Sequence, residues 1–492
     1  MRGRALLAVA ASAALALAIT AVLRRPGAAS SPIRRTSRGA RNLELARLGV
    51  GVGGTYAAVR ARQLFASAER RAELDDELRL RSAEQVAERL GNMKGALMKV
   101  GQMASYLDDG LPEPVRQALA QLQADAPPMS AELAAAVVER ELGRPPEQLF
   151  REWDPNPIAA ASIGQVHRAV LADPATAQER AVAVKVQYPG VGAAIESDLR
   201  NTDLLGALLK QGFGGLDPAD MIAEIKQRLT EELDYAHEAT NQARFAEFFR
   251  GHPFIHVPDV VASHSGATVL TSDLVVGASW RELLTWDQHQ RDLAAEALFR
   301  FVFRSLYGFH AFNGDPHPGN YVFHGDGRVS FIDFGLVRYF DETEMATFVA
   351  MVKAAAYDRD PIAFRAVVER AGLLRPGAPV PTEEANAYFS HFYEPVREDR
   401  PMRWTKAYAS SIVRHTFDRT SPIAQYATVP RAFVFIQRIN LGLYALLGDL
   451  GAGGNYRRLA EELWPFTAGP PSTPMGVAEH AWLATRQSRR PA

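Results

Sequence analysis

The sequence predicts a predominantly helical α+β protein, and the order of three segments carries this prediction. Residues 60–106 contain no proline and repeat apolar residues at three- and four-residue steps, which is typical of helices. Alternating, strand-like runs follow in the middle of the chain, for example AVAVKVQY at 181–188. From about residue 279 the pattern is helical again, apart from short strands near 320–323 and 329–332. We therefore expect a helical extension, a small mixed domain and a larger helical domain.

Residues typical of helix ends predict further element boundaries. Short helices are expected around 113–124 and 130–142. Asp217 followed by Pro218 has the form of an N-cap with proline at the first helical position. These two residues predict a long helix that runs to about Arg250.

The composition is that of an ordinary globular protein. The chain has 492 residues, of which 47% are apolar and 23% charged, and this length predicts roughly two to four structural units. The net charge of −1 predicts no global attraction to nucleic acid, so we expect no nucleic-acid partner. The absence of cysteine excludes disulfides, thiolate zinc sites and iron–sulfur clusters.

Residues 5–23 form an apolar run that is long enough to cross a bilayer as a helix. Three interpretations compete: a membrane anchor, a cleavable secretory signal and an organellar transit peptide. The anchor is favoured because basic residues are more frequent after the run than before it, which places the main body in the cytoplasm. We expect a membrane-associated protein with its catalytic domain on the cytoplasmic side, or a mitochondrial protein in a eukaryote.

The segment GDPHPGNYVFHGDGRVSFIDFG, at 314–335, carries the strongest functional signal. Asn320 follows Asp315 by five residues, and Asp333 follows Asn320 by thirteen. Phosphoryl transfer requires oxygen ligands that converge on magnesium and a carboxylate near the attacking hydroxyl. The same two spacings occur in protein kinases, so the segment predicts a phosphoryl-transfer site.

Lys185 ends an alternating strand upstream and resembles the strand lysine that holds nucleotide phosphates in kinases. Its expected partner is an acidic residue of the segment EELDYAHEAT, where Glu232, Asp234 and Glu238 are the candidates.

The segment that precedes this strand departs from a kinase glycine-rich loop. It reads PIAAASIGQVH, and its alanines carry a Cβ that hinders close approach of the backbone to phosphate. We expect Ala159, Ala160, Ala161 and Ser162 to form a loop that is stiffer than a glycine-rich loop and binds phosphate differently.

These motifs together resemble the UbiB/AarF (ADCK-type) family of atypical kinase-like proteins involved in ubiquinone biosynthesis. The resemblance covers about residues 35–465 and includes a Lys-x-Gly-Gln motif, formed here by Lys99, Gly101 and Gln102. It implies a two-lobed protein-kinase-like fold with an N-terminal helical extension. The Lys-x-Gly-Gln helix would lie across the place that a peptide substrate occupies in other kinases.

The resemblance also implies a role for each motif residue. Lys185 would hold the phosphates of ATP with Glu238 as its partner, and Asp315 would be the catalytic-loop carboxylate. Asn320 and Asp333 would bind Mg²⁺. The regulatory set would pair the Lys99, Gly101 and Gln102 helix with Glu232 and Asp234.

The domain boundaries follow from the patterns and the resemblance together. The expected units are a membrane or targeting segment, a helical extension, a kinase-like N-lobe, a kinase-like C-lobe and a disordered tail, at 1–30, 31–150, 151–277, 278–465 and 466–492.

Two functions are compatible with these residues. The first is a membrane-associated, Mg²⁺-dependent ATPase or kinase that acts on membrane lipid or quinone intermediates. The second is a low-turnover nucleotide-binding scaffold for other lipid-biosynthetic enzymes, motivated by the alanine segment. A small-molecule phosphotransferase of the aminoglycoside type shares the Asp-Asn-Asp pattern but does not account for the Lys-x-Gly-Gln motif.

Overall fold

A computed structural model describes residues 129–161, 163–172, 178–189, 191, 233–416, 421–467 and 469–489. All of these residues belong to one compact unit. The apolar run at 5–23, most of the helical extension and the predicted helix start at Asp217 lie outside the described residues.

The described residues up to Asp273 are here called the upper lobe. They form an antiparallel sheet with helices packed against it. Its helices are α1 (Ala131–Leu142), α2 (Pro146–Leu149) and α3 (Tyr235–Phe248). Its strands in chain order are β1 (Glu152–Ala161), β2 (Gly164–Ala172), β3 (Glu179–Gln187), β4 (Ile255–His256) and β5 (Val269–Asp273). Four of them form a sheet in the order β1-β2-β3-β5, while β4 pairs with the lower lobe.

Alternation along β3 directs its side chains to opposite faces of the sheet. Val182, Val184 and Val186 are fully buried and pack with Val137 of α1 and other apolar residues of this lobe. Lys185 lies between two of these valines in sequence and therefore projects from the other face. The core of the upper lobe thus determines which way this lysine points.

Helix α3 begins later than the sequence predicts. A single helix was expected from Asp217 to about Arg250, but Leu233 and Asp234 are not helical. Asp234 is instead an N-cap, with φ −107° and ψ 88°, and its carboxylate accepts a 3.0 Å hydrogen bond from the His237 amide. An aspartate in this position satisfies an otherwise unpaired amide and so favours a helix start.

The described residues from Ala278 onward are here called the lower lobe, and they are mainly helical. Its helices are α4 (Trp280–Leu283), α5 (Gln288–Phe309), α6 (Glu342–Val352), α7 (Pro361–Arg370), α8 (Thr382–Phe389), α9 (Lys406–Thr416), α10 (Arg431–Leu450), α11 (Tyr456–Leu463) and α12 (Pro474–Arg489). Its short strands are β6 (Ala311–Asn313), β7 (Tyr321–Phe323), β8 (Val329–Phe331), β9 (Val337–Tyr339), β10 (Met402–Arg403) and β11 (Gly453–Gly454). Helices α5 and α10 line a large apolar core.

The motif segment, residues 314–335, lies between β6 and β9 at one end of this core. Strand β6 pairs with β9 on either side of the segment, and β7 pairs with β8 within it, so short antiparallel pairings hold the segment both at its ends and inside. The predicted strands near 320–323 and 329–332 are confirmed as β7 and β8.

The connection between the lobes is fixed to the lower lobe at one point. Ala278 and Phe323 exchange backbone hydrogen bonds of 2.8 and 2.9 Å. A Cβ on the preceding Gly277 would lie 2.7 Å from the Phe323 carbonyl oxygen, so glycine allows this close approach. The connecting residues 274–277 therefore end at a firm attachment to β7.

The expectation of a disordered tail at 466–492 is wrong. Residues Pro474–Arg489 form α12, in which Met475, Glu479 and Trp482 are buried. These residues recur at steps of four and three, so they share one face of the helix. The run TAGPPSTPMG, on which this expectation rests, starts before the helix and extends into its first three residues.

Among the described residues, one stretch is long and apolar enough to span a membrane, Phe433–Leu450 within α10. Its mean hydropathy is 1.2, and half of it is buried inside the protein.

Candidate phosphoryl-transfer site

Lys185 and Glu238 form a close ion pair at the face of the upper-lobe sheet. The Lys185 Nζ atom donates to both carboxylate oxygens of Glu238, each at 2.8 Å. The glutamate side chain is 3% exposed and the lysine side chain 19% exposed, so the pair is largely removed from water. Of the three acidic candidates, Glu238 contacts the lysine, Asp234 caps α3, and Glu232 lies outside the described residues.

Asp333 is the second acidic residue at this lysine. Its Oδ2 atom lies 3.6 Å from the Lys185 Nζ atom, and its side chain is 31% exposed. The lysine also lies over the ring of Tyr235, 4.9 Å from the centroid. The β3 strand, the first turn of α3 and the loop after β8 therefore meet at one ammonium group.

The charges around Lys185 keep it protonated. Burial alone lowers the pKa of a lysine, but the carboxylates of Glu238 and Asp333 outweigh it and raise the pKa of Lys185 well above its ordinary value. A fixed cation beside an accessible carboxylate is suited to bind phosphate oxygens.

Two buried asparagines hold the Asp-Phe-Gly backbone. The Asn313 side chain donates to the Asp333 carbonyl oxygen at 2.7 Å, and the Asn241 side chain donates to the Phe334 carbonyl oxygen at 3.2 Å. The Gly335 amide donates to the Asp333 carboxylate at 3.1 Å. Because Asn241 belongs to α3, the helix that carries Glu238 is bonded directly to the segment that carries Asp333.

Asp315 lies in a buried polar cluster in the loop between β6 and β7. The Asn320 Nδ2 atom donates to the Asp315 backbone oxygen at 3.0 Å and to its Oδ2 atom at 3.2 Å. The Arg438 Nη2 atom lies 3.6 Å from the other carboxylate oxygen, Oδ1. The carboxylate is 9% exposed, so these neighbours determine its orientation.

Helix α10 approaches this loop very closely. A Cβ on Gly442 would lie 2.2 Å from the Pro316 Cγ atom, so no larger residue fits while the loop stays in place. Gly442 and Arg438 are four residues apart on α10 and therefore face the same side of it. The helix thus supplies both the close packing and the cation at Asp315.

The alanine segment is a strand rather than a loop. Ala159, Ala160 and Ala161 belong to β1 and pair with Val166, Gln165 and Gly164 of β2. Ser162 lies outside the described residues. The expected loop over the phosphates is therefore absent at residues 159–161, because cross-strand pairing overrides the low strand preference of alanine.

Gly164, the first residue of β2, is under tight steric constraint. A Cβ there would lie 2.3 Å from the Val186 carbonyl oxygen and 2.8 Å from the Tyr235 hydroxyl. Glycine therefore lets the β1–β2 hairpin lie against β3 and the start of α3.

The residues present have the right chemistry for Mg²⁺. Asn320 and Asp333 carry amide and carboxylate oxygens, which Mg²⁺ prefers. Because Nδ2 of Asn320 bonds to Asp315, Oδ1 is the end of this amide that can coordinate a cation. Phosphate and water would supply the remaining ligands, as is usual for Mg²⁺. No group of three or more histidine, aspartate or glutamate side chains suited to a metal occurs in the described part of the chain.

The Lys-x-Gly-Gln residues Lys99, Gly101 and Gln102 lie outside the described residues, so their expected pairing with Glu232 and Asp234 stays a prediction. Sequence reasoning missed Arg438, Asn313, Asn241, Gly164 and Gly442. The run QRINLGLY in α10 contains two of them and lies within residues 35–465, the part of the chain that the family resemblance covers.

Comparison with known proteins identifies the family. Residues 121–366 match the ABC1 atypical kinase-like domain, which is half of the chain. The chain belongs to the ABC1 atypical kinase-like family. This result confirms the resemblance to UbiB/AarF proteins, and the kinase-like fold with it.

Curated relatives of this ABC1 chain come from several kingdoms. Rat mitochondrial atypical kinase COQ8B is 34% identical over 285 residues, which cover 57% of this chain and 52% of the relative. The chloroplastic ACTIVITY OF BC1 COMPLEX KINASE 7 of Arabidopsis thaliana is 35% identical over 246 residues, covering 49% of this chain and 34% of the relative. The chain therefore spans between a third and about half of the length of these relatives.

A solved structure is similar over a larger share of the chain. The complex of Rv3197 with erythromycin from Mycobacterium tuberculosis has a TM-score of 0.58 and 31% sequence identity. The similarity covers 81% of this chain and the whole of that structure.

Proposed function

We propose that this ABC1 protein is a Mg²⁺-dependent, ATP-binding atypical kinase or ATPase that supports isoprenoid quinone or lipid synthesis at a membrane. The observation that carries the proposal is the position of Lys185, held at 2.8 Å by Glu238 and 3.6 Å from Asp333. In kinases, an ion pair of this kind and the neighbouring metal-binding aspartate must both be in place for phosphoryl transfer. Relatives named as atypical kinases support the same reading.

Each site residue then has a specific task. Lys185 binds phosphate oxygens, and Glu238 orients its ammonium group. Asn320 and Asp333 would hold Mg²⁺, which neutralises charge on the phosphates when bound. Asp315 would accept the proton of the attacking hydroxyl or water, and its contacts with Asn320 and Arg438 support a single orientation of the carboxylate.

We further propose that the acceptor is water or a small molecule of the membrane rather than a protein. The Lys-x-Gly-Gln motif supports this, since the family resemblance implies a helix over the peptide-binding region. The apolar run at 5–23 supports a membrane location, with the site on the cytoplasmic side or in an organelle such as the mitochondrion. Several relatives are named as mitochondrial or chloroplastic.

A scaffold with little turnover is the second candidate. One observation favours it: the alanine segment lies in a strand ladder, so its backbone is engaged in the sheet and is less able to follow phosphates during transfer. Such a protein would bind nucleotide and assemble other lipid-biosynthetic enzymes without hydrolysing ATP.

Hydrolysis of ATP by the full chain separates the two candidates. We would measure phosphate release with and without Mg²⁺, on anionic and on zwitterionic liposomes, for the wild type and Asp333→Asn. Asp358→Asn is the matched control, because Asp358 is an exposed aspartate paired with Lys353 outside the site.

The ATPase proposal expects Mg²⁺-dependent hydrolysis that is lost in Asp333→Asn and kept in Asp358→Asn. A further rise on anionic liposomes would support the membrane assignment. If the wild type binds nucleotide but hydrolyses no more than Asp333→Asn under every condition, the scaffold is the correct function.

A further inference from the structure

The helix α12 contacts the carboxyl end of α3, the helix that carries Glu238. The Trp482 Nε1 atom donates to the Arg250 carbonyl oxygen at 3.0 Å. The Arg486 guanidinium donates to the Phe248 carbonyl oxygen and lies 5.5 Å from the centroid of the Phe248 ring. The last carbonyls of a helix have no partner within the helix, so these donors supply bonds that α3 itself cannot make at Phe248.

A buried charge cluster fixes α12 in turn. Glu479 is 1% exposed and accepts hydrogen bonds from Arg300 at 2.9 Å and from Arg304 at 2.9 and 3.1 Å, both on α5. His252, which follows α3, lies 3.4 Å from the same carboxylate. The Arg300 guanidinium also contacts Glu296 and Glu462. Helix α12 is therefore attached to the core of the lower lobe and to the end of α3 at once.

We propose that α12 is a positioning element for Glu238. It holds the carboxyl end of α3 against the lower lobe, and this fixes the tilt at which the amino end brings Glu238 to Lys185. The residues that act are Trp482 and Arg486, with Glu479 as their anchor. This inference rests on the proposed function, because it assigns a task in nucleotide binding to residues remote from the site.

The geometry of α3 makes the coupling direct. The Asn241 bond to the Phe334 carbonyl oxygen fixes the helix near its middle, between Glu238 and the α12 contact. At 1.5 Å per residue, Phe248 lies about 10 Å along the axis from Asn241, and Glu238 about 4.5 Å in the opposite direction. If the helix turned about that point, a 2 Å movement of its end would displace Glu238 by about 1 Å. Such a displacement is enough to weaken two hydrogen bonds of 2.8 Å.

The test removes the two donors and keeps the packing. The double variant Trp482→Phe with Arg486→Met loses both hydrogen bonds to α3 but retains an aromatic ring and an unbranched side chain. Val477→Ala is the control, since Val477 is an exposed residue of the same helix. We would measure hydrogen exchange in α3 without nucleotide and the affinity for Mg-ATP, each in the full chain.

The expected results are exchange at least tenfold faster in the first turn of α3 and about tenfold weaker Mg-ATP binding, with the control unchanged. The affinity loss should vanish in a Glu238→Gln background, because α12 acts through that residue. Additive losses would mean that α12 stabilises the fold in general, and would overturn the proposal. Unchanged exchange in α3 would also overturn it.

Two results distinguish this inference from the function on which it rests. If the wild type binds no Mg-ATP, the proposed function fails, while the exchange measurement still decides whether α12 positions α3. If the double variant does not fold, Trp482→Phe alone removes one donor, and the same exchange and affinity criteria apply to it.

Discussion

Arg438 of α10 places its guanidinium 3.6 Å from the carboxylate of Asp315, although 123 positions separate the two in sequence. The arginine side chain is 12% exposed, so its charge is only partly screened by water. It approaches the Oδ1 atom of Asp315, whereas the side chain amide of Asn320 bonds to the Oδ2 atom. The proposed proton acceptor is thus held by groups from two distant parts of the lower lobe.

Replacing Arg438 by methionine should reduce turnover more than ATP affinity. The variant removes the charge that orients Asp315 but leaves Lys185, Glu238 and Asp333 in place. We expect kcat to fall roughly tenfold to a hundredfold with KM for ATP changed less than threefold. Steady-state kinetics check this, with Arg458→Met as control because Arg458 is an exposed arginine paired with Asp399. A fall in affinity with unchanged kcat would contradict the assigned role.

Glu238→Gln should weaken nucleotide binding. An amide cannot neutralise Lys185, so the ammonium is oriented less firmly and the pKa of Lys185 falls when this carboxylate is lost. We expect Mg-ATP affinity to fall by about tenfold or more, measured by calorimetry. Glu247→Gln, at an exposed position of the same helix, should leave the affinity unchanged. Equal affinities of all three proteins would refute the phosphate-binding role of the pair.

Gly164→Ala should destabilise the upper lobe. Its Cβ would lie 2.3 Å from the Val186 carbonyl oxygen, so either the β1–β2 hairpin or the start of α3 must move. We expect the free energy of unfolding to fall by about 1–3 kcal/mol in urea denaturation. Gly325→Ala is the matched control, since no atom lies within 4 Å of its added Cβ, and it should change stability by less than about 0.5 kcal/mol. A stable Gly164→Ala would show that the hairpin can relax.

Acidification should destabilise the lower lobe through His252. Burial lowers the pKa of this histidine, and the contact with Glu479 opposes the shift only in part. The unfolded chain therefore binds a proton near pH 6.5 that the folded protein does not. The contribution of His252 to the free energy of unfolding is complete above about pH 7 and decreases as the pH falls through 6.5.

Urea denaturation at several pH values between 7.5 and 5 tests this, and His252→Gln should flatten the dependence. Other buried histidines with a lowered pKa, such as His167, contribute a remaining slope of the same sign. Stability that rises on acidification would contradict the neutral state of His252.

Much of the site could be predicted from the sequence because its signals are local. Alternation in β3 shows which way Lys185 points, and fixed spacings connect Asp315, Asn320 and Asp333. Arg438 could not be predicted in this way, because its contact depends on how α10 packs against a loop far away in sequence. Long-range packing of this kind leaves no periodic signal.

The errors in the fold have physical causes as well. The strand at Ala159–Ala161 depends on pairing with β2, whereas alanine alone favours helices. Helix α12 was missed because its buried face is narrow and because the helix follows a run rich in proline, serine and threonine. The start of α3 is not evident from the sequence because Asp217 and Asp234 both have the form of an N-cap, and the structure shows that Asp234 caps this helix.

The backbone pairing of Ala278 with Phe323 has a consequence for motion between the lobes. Since the connection is bonded to β7 at that point, residues 274–277 form one pivot for opening of the cleft, beside the attachments made by the β4–β8 pairing and by Asn241. Val276 lies within this pivot and is 79% exposed. A fluorophore attached there would follow the angle between the lobes, and so would report opening and closing during turnover.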